Sequence, residues 1–199
     1  MEEANYLEIA QKNKKVFLGL CKTINREGID SLLDYLEKSD FYICPASTKY
    51  HDAYYGGLLQ HSINVFKEFN TLAAAYPWVN IPAETRVIVP LFHDLCKVGL
   101  YTTEKRNRKN DEGKWESYDC YTVSEKFCFG GHGSKSVYLI QSHIQLTPEE
   151  AAAINCHMGP WDGNKDVANA YEQFPVAWLL HIADEAATFI NRKEDTNGT

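Results

Sequence analysis

Leu91-Phe92-His93-Asp94-Leu95-Cys96-Lys97 sets an imidazole and a carboxylate side by side inside an otherwise apolar run. A carboxylate taken out of water costs several kcal/mol, on the order given for buried ions, unless something pairs with it. A metal cation answers that need most directly. Four side chains elsewhere in the chain, His61, His132, His157 and Asp184, could complete its coordination. The address of each within its own segment therefore carries the reading of both fold and chemistry.

Just before the pair, Pro82 suits the first turn of a helix, and the run Val87 to Leu95 supplies an apolar face. The spacing predicts one helix that carries His93 and Asp94 near its C-terminal end and is kinked at Pro90, where a lost backbone hydrogen bond costs about 3 kcal/mol. A surface pair or a cap is the competing reading of the dipeptide; Leu91, Phe92 and Leu95 favour burial. Upstream, Tyr54-Tyr55-Gly56-Gly57 leads into a helix in which His61 shares a stripe with Leu58, Val65, Phe69 and Leu72. That stripe turns His61 inward, either as a hydrogen-bonded core histidine or as a ligand. Two scaffold helices precede it. The first spans residues 5–24, with Tyr6, Leu7, Ile9, Val16, Phe17, Leu20 and Cys21 as its apolar positions, and Arg26-Glu27-Gly28 ends it. The second spans 29–38 with Ile29, Leu32, Leu33 and Leu36 inward, and Ser39 to Thr48 is loop.

Downstream of Lys97, the stretch Tyr101 to Phe129 does not read as helix. Asn110-Asp111-Glu112-Gly113 is a turn signal between Lys105-Arg106-Asn107-Arg108-Lys109 and Trp115 to Val123, where aromatic and polar residues alternate, so a β-hairpin is expected. Its basic arm is either a solvated strand edge or a lid on which Arg106 and Arg108 meet phosphate, with Trp115 or Tyr118 stacking beside them.

Gly130-Gly131-His132-Gly133-Ser134-Lys135-Ser136 then enters a helix with Val137, Tyr138, Ile140 and Ile144. Glycines there would let His132 approach a site closely, and the helix start favours anions. Thr147-Pro148-Glu149-Glu150 is a strong start signal, with a capping threonine, proline at the first helical position and glutamate at the third. The helix it opens ends at His157-Met158-Gly159-Pro160, and His157 could simply cap that end. Pro175 begins the last helix, on which Leu180, Asp184 and Ala187 share a face. His181 is a rival partner for Asp184. The tail from Arg192 to Thr199 is polar and expected to fray.

At 199 residues, 44% hydrophobic and 24% charged, the chain fits a single globular domain over 1–199: scaffold helices at about 5–38, a site-bearing core at about 50–190 and a hairpin insertion at about 101–129. Apolar runs fall far short of the roughly 20 residues of a membrane helix, and the acidic start lacks the order of a secretory signal, so a cytoplasmic protein without membrane association is expected. Cysteines 21, 44, 96, 120, 128 and 156 show no two-residue spacing, which argues against a zinc ribbon and leaves them as core fillers. A net charge of −7 argues against a broad duplex-binding face but leaves a nucleotide or a single strand held at a metal as partners.

Taken together, these segments resemble the HD superfamily of metal-dependent phosphohydrolases, all-helical domains named for their His-Asp pair. Gly56-Gly57-Leu58-Leu59-Gln60-His61-Ser62 is similar to that family's first-histidine helix, His93-Asp94-Leu95-Cys96-Lys97 to its hallmark, and Ala183-Asp184 to its closing aspartate. The likeness covers roughly residues 50–190. His132 and His157 match the extra histidines of the two-metal branch, which includes phosphodiesterases, and Gly56-Gly57-Leu58-Leu59 is also similar to the HD domain attached to bacterial exoribonucleases. Cys96 stands where the hallmark commonly has glycine, and Pro90 is unexpected.

The resemblance implies an all-α, HD-domain-like helical bundle with a small β-hairpin insertion. It implies that His61, His93, Asp94 and Asp184 hold one divalent ion, with Asp94 bridging to a second held by His132 and His157. Nitrogen and oxygen donors suit manganese or iron, and also zinc, nickel or cobalt. Two such ions would ready a water for attack on a phosphorylated substrate. Asp94 and Lys97 would then be the catalytic residues, with Lys97, Lys135, Arg106 and Arg108 binding phosphate. A lysine compensating a helix dipole is the plainer account of Lys97. Two other functions use the same pocket: two-iron relatives that oxidise small substrates with dioxygen, and a non-catalytic nucleotide-binding module.

Overall fold

Gly56 and Gly57 open the helix around which the others pack. Gly56 has φ +79°, and a Cβ on Gly57 would fall 1.9 Å from the Asp52 carbonyl oxygen, so only glycines let the loop before the helix fold tightly over its first turn. In the computed structural model, which describes residues 3–124, 129–163 and 165–191, this helix is α3 (Gly57–Ala75). It packs against α1 (Glu3–Cys21), α4 (Thr85–Phe92) and α8 (Pro175–Ala186). A second layer is built by α5 (His132–Gln141) and α6 (Pro148–Asn155), with α6 bridging to α8 and α4. Short helices α2 (Ile29–Lys38) and α7 (Val167–Gln173) flank this body.

The molecule is mostly helical, with one two-stranded antiparallel sheet formed by β1 (Tyr101–Lys109) and β2 (Trp115–Val123). Asn110 closes the hairpin: its side-chain oxygen accepts from the amides of Glu112 and Lys114, and Gly113 takes φ +76°. β1 is exposed over nearly all its length, whereas β2 alternates between exposed and half-buried residues. At the base, the Tyr101 hydroxyl donates to the Ala46 carbonyl at 3.1 Å and ties the hairpin to the loop before α3. Among the described residues no helix is long and apolar enough to cross a membrane.

Phe17 of α1 seals the core. It meets Phe41 at 5.2 Å and Phe92 edge-on at 5.8 Å between ring centroids. Its helix ends at Cys21, three residues before the expected end, and of its apolar positions Leu7 and Val16 lie exposed. Cys21, Cys44, Cys96 and Cys156 are buried fillers as expected, whereas Cys120 is half-buried on the hairpin and Cys128 lies outside the described residues. So does the tail from Arg192.

The largest departure from the sequence reading is α4. It begins at Thr85 rather than Pro82 and stops at Phe92, so His93 and Asp94 occupy the turn after the helix, followed by one turn of 3₁₀ helix, Leu95–Lys97. Pro90 is the physical reason. It cannot donate to the Arg86 carbonyl, and the helix survives only two residues beyond it. Asn70 of α3 supplies the missing donor, its side-chain amide reaching the Arg86 carbonyl at 3.3 Å and the Phe66 carbonyl at 2.9 Å. Asn70→Ala is therefore expected to cost about 1 kcal/mol, the penalty for stranding a backbone acceptor, read as a lower urea midpoint with an unchanged slope.

Candidate metal centre

Each of the four approaches to the site follows from a local signal. His61 lies fully buried one turn into α3, on the stripe with Leu58, Val65 and Phe69. Asp184 projects from α8, which packs along α3. The turn that ends α4 delivers His93 and Asp94. His157 follows the end of α6, where Gly133 permits the start of α5 to press in; a Cβ there would fall 2.3 Å from the Asn155 carbonyl oxygen. The backbone amide of Cys96 donates to the Ser136 hydroxyl at 3.0 Å, which pins α5 to the His-Asp turn.

These residues converge. The His61 Nε2 atom lies 3.0 Å from Asp184 Oδ1 and 3.6 Å from Asp94 Oδ2. His93 Nε2 lies 3.4 Å from Asp94 Oδ2 and 3.9 Å from Asp184 Oδ1, and His157 Nε2 lies 3.5 Å from Asp94 Oδ1. Side-chain exposure is 0% at His93 and His157, 1% at His61, 3% at Asp94 and 13% at Asp184. Two triplets, His61 with His93 and Asp94 and His93 with His157 and Asp184, each hold their donor atoms within 4.8 Å of one another.

The imidazoles are oriented from behind. His93 Nδ1–H donates to the Pro90 carbonyl at 2.9 Å, and His157 Nδ1–H to the Ile154 carbonyl at 2.7 Å. Since a carbonyl can only accept, each Nδ1 carries its proton and each Nε2 is turned toward the carboxylates. His157 thus does cap its own helix, and the cap is what aims it. Among the described residues neither Nε2 has a hydrogen-bond partner, nor does either nitrogen of His61, though its Nε2 lies close to Asp184. Buried imidazole nitrogens are rarely left unsatisfied without cause. Backbone-anchored Nδ1, unpartnered Nε2 and adjacent carboxylates are the pattern of histidines prepared for a cation. The donor set fits a divalent ion.

The electrostatics agree. Burial alone would raise the carboxyl of Asp94, but the Lys97 ammonium at 2.6 Å, together with His93, holds it well below the usual carboxylate range. Burial works the same way on Asp184, and His61 and His93 outweigh it, so this carboxyl too is held low. Burial would lower Lys97, yet Asp94 keeps it raised and charged. The two carboxylates are therefore anionic in a largely buried site. Cys96, where the thiol is pushed up to about 12 by burial, is not a nucleophile.

A cavity of about 610 Å³ opens onto this cluster and is lined by Asp94, Lys97, His132 and Asp184 among others. His132, the first residue of α5, stands on the wall with its Nδ1 3.5 Å from Cys96 Sγ, outside the tight cluster of the other five. Lys135 is buried in α5 and does not line this cavity. Arg106 and Arg108 are exposed on β1, paired with Glu104 and Glu116, and neither borders the cavity. His181, the rival partner for Asp184, instead donates from Nδ1 to the His157 carbonyl at 2.8 Å and stacks on Tyr171.

Sequence reading missed His51. It lines the cavity beside His61 at 4.8 Å between ring centroids, its Nε2 has no partner among the described residues, and burial, then the neighbouring His61, lowers its pKa to about 3. No periodic pattern marks it, because it sits in the loop that folds back over α3. Asp52, next to it, takes φ +45°.

Comparison of the chain with protein-family models, curated proteins and solved structures finds no significant match.

Proposed function

We propose that the protein is a metal-dependent phosphohydrolase of the HD type, acting in the cytoplasm on a nucleotide or another phosphomonoester or phosphodiester. One observation carries this reading: three imidazoles with buried, unpartnered Nε2 atoms face two carboxylates at the end of a cavity large enough for a small ligand. A pure binding pocket has no physical need for that costly cluster.

His61, His93, Asp94 and Asp184 would hold one divalent ion, manganese or iron by donor type, and Asp94 with His132 and His157 a second. Bound there, such ions supply an acidified water as nucleophile and offset the charge of the phosphate. The chain's own residues do the rest. Asp94, touching Lys97 and facing three imidazoles, holds the centre together. Lys97 spends one of its three donors on Asp94 and can offer another to a phosphate oxygen from the cavity wall. The walls around Asp94, only 3% exposed, keep bulk water from competing.

Manganese-loaded protein should release phosphate or a nucleotide from a panel of phosphomonoesters, cyclic nucleotides and short oligonucleotides, equally well in air and under nitrogen. Turnover that demands iron and dioxygen would overturn hydrolysis in favour of oxidation by the same donors. No turnover at all, with metal bound, would overturn both.

A further inference from the structure

Three of the aromatic side chains left in water belong to one place. Trp161, Tyr50 and Phe189, 76%, 71% and 62% exposed, all line the cavity that ends on Asp94 and Lys97. They come from three separate segments: the loop before α3, the 3₁₀ turn Gly159–Asp162, and the π-type turn Ala187–Asn191 after α8. Each lies close in sequence to a residue of the site: Trp161 four positions after His157, Phe189 five after Asp184, Tyr50 immediately before His51. The cavity thus has two ends of different chemistry. Its deep end is polar and nearly closed, with Asp94 3% and Lys97 8% exposed; its mouth is a rim of flat, apolar faces.

Charge narrows the ligand further. Among the described residues, Lys97 is the one cation on the wall, against Asp94, Asp184 and Glu185. A single phosphate group can be met at the deep end. A polyphosphate would bring its further charges against this acidic wall, with no second arginine or lysine among its described residues to receive them. Flat aromatic faces bind flat rings, and base stacking on such a face is sequence-tolerant and strong enough to govern affinity.

We propose that the cavity takes a nucleoside monophosphate, with its phosphate at the Asp94 and Lys97 end and its base stacked on Trp161 at the mouth. This deepens the phosphohydrolase reading and rests on it for the placement of the phosphate. Trp161 is then a specificity residue, contributing to binding and not to the chemical step.

Calorimetric titration of the purified protein with AMP, ribose 5-phosphate and ATP tests this, since ribose 5-phosphate keeps the phosphate and loses the base. AMP should bind about 5- to 150-fold more tightly than ribose 5-phosphate, the range that corresponds to about 1–3 kcal/mol of stacking, and ATP more weakly than AMP. Trp161→Ala should erase the preference for AMP while leaving ribose 5-phosphate affinity unchanged, and Trp161→Phe should restore most of it. Equal affinity for AMP and ribose 5-phosphate, a preference that survives Trp161→Ala, tighter ATP binding, or no binding of AMP would each overturn the proposal. Intact discrimination without turnover of either monophosphate would instead leave the stacking site standing and count against the phosphohydrolase reading.

Discussion

Asp94→Ala is expected to lose its metal and to reduce turnover by more than about 100-fold. Replacing groups that merely support a metal ligand costs about 10- to 100-fold, and Asp94 sits closer than that. It faces His61, His93 and His157 within 3.6 Å and is the counterion of a lysine only 8% exposed. The variant leaves that ammonium buried without its partner, so folding is measured alongside activity. Lys97→Met is the control: it removes the stranded charge, and the double variant should regain stability without regaining turnover. Full activity in a folded Asp94→Ala protein would mean that the chemistry lies elsewhere.

Arg26→Met should be strongly destabilising although it lies away from the site, at about 3 kcal/mol or a fall of roughly 1 M in urea midpoint. Glu150 has a fully buried side chain, and Arg26 reaches both of its oxygens, at 2.6 and 3.2 Å. The Thr85 hydroxyl and the Thr147 amide complete the set at 2.8 and 2.9 Å. Removing the arginine leaves an ionised carboxylate in the core with only neutral donors.

The same pair sets part of the acid response. Burial would raise the carboxyl of Glu150, but Arg26, Thr147 and Thr85 outweigh it and hold it below its ordinary value of 4.5. A folded value below the unfolded one means stability that is fully present above about pH 4.5 and is lost as pH falls through the folded value. The wild-type protein should therefore weaken on acidification in that window, and Arg26→Met should show a shallower loss there. An identical acid limb in both proteins would remove the ion pair from the explanation.

What the sequence made legible follows local rules. Thr147-Pro148-Glu149-Glu150 forms the capping box its spelling predicts, with the Thr147 side chain accepting from the Glu150 amide and the Glu150 side chain from the Thr147 amide. Helix α2 has the predicted bounds, Pro175 opens α8, and Asn110 to Gly113 turns the hairpin. His61 was legible as an inward histidine because a helix repeats its faces. The partners that cross between segments were not. Arg26 and Glu150 lie 124 positions apart, and nothing in Arg26-Glu27-Gly28 announces a buried carboxylate. The carbonyl left without a donor by Pro90 in α4 is taken over by Asn70 from another helix, a pairing no local pattern shows, and α7 was not anticipated. His51 reached the site through a loop shaped by glycines and a left-handed Asp52, which no periodicity describes.

Elemental analysis of protein purified without chelators, set beside His93→Ala, tests the centre most directly. One to two divalent ions per chain in the wild type and a clear loss in the variant is the outcome expected from imidazoles held with their Nε2 atoms toward Asp94 and Asp184. A wild-type protein that takes up no stoichiometric metal even when offered manganese or iron, and that matches the variant in this respect, would contradict it.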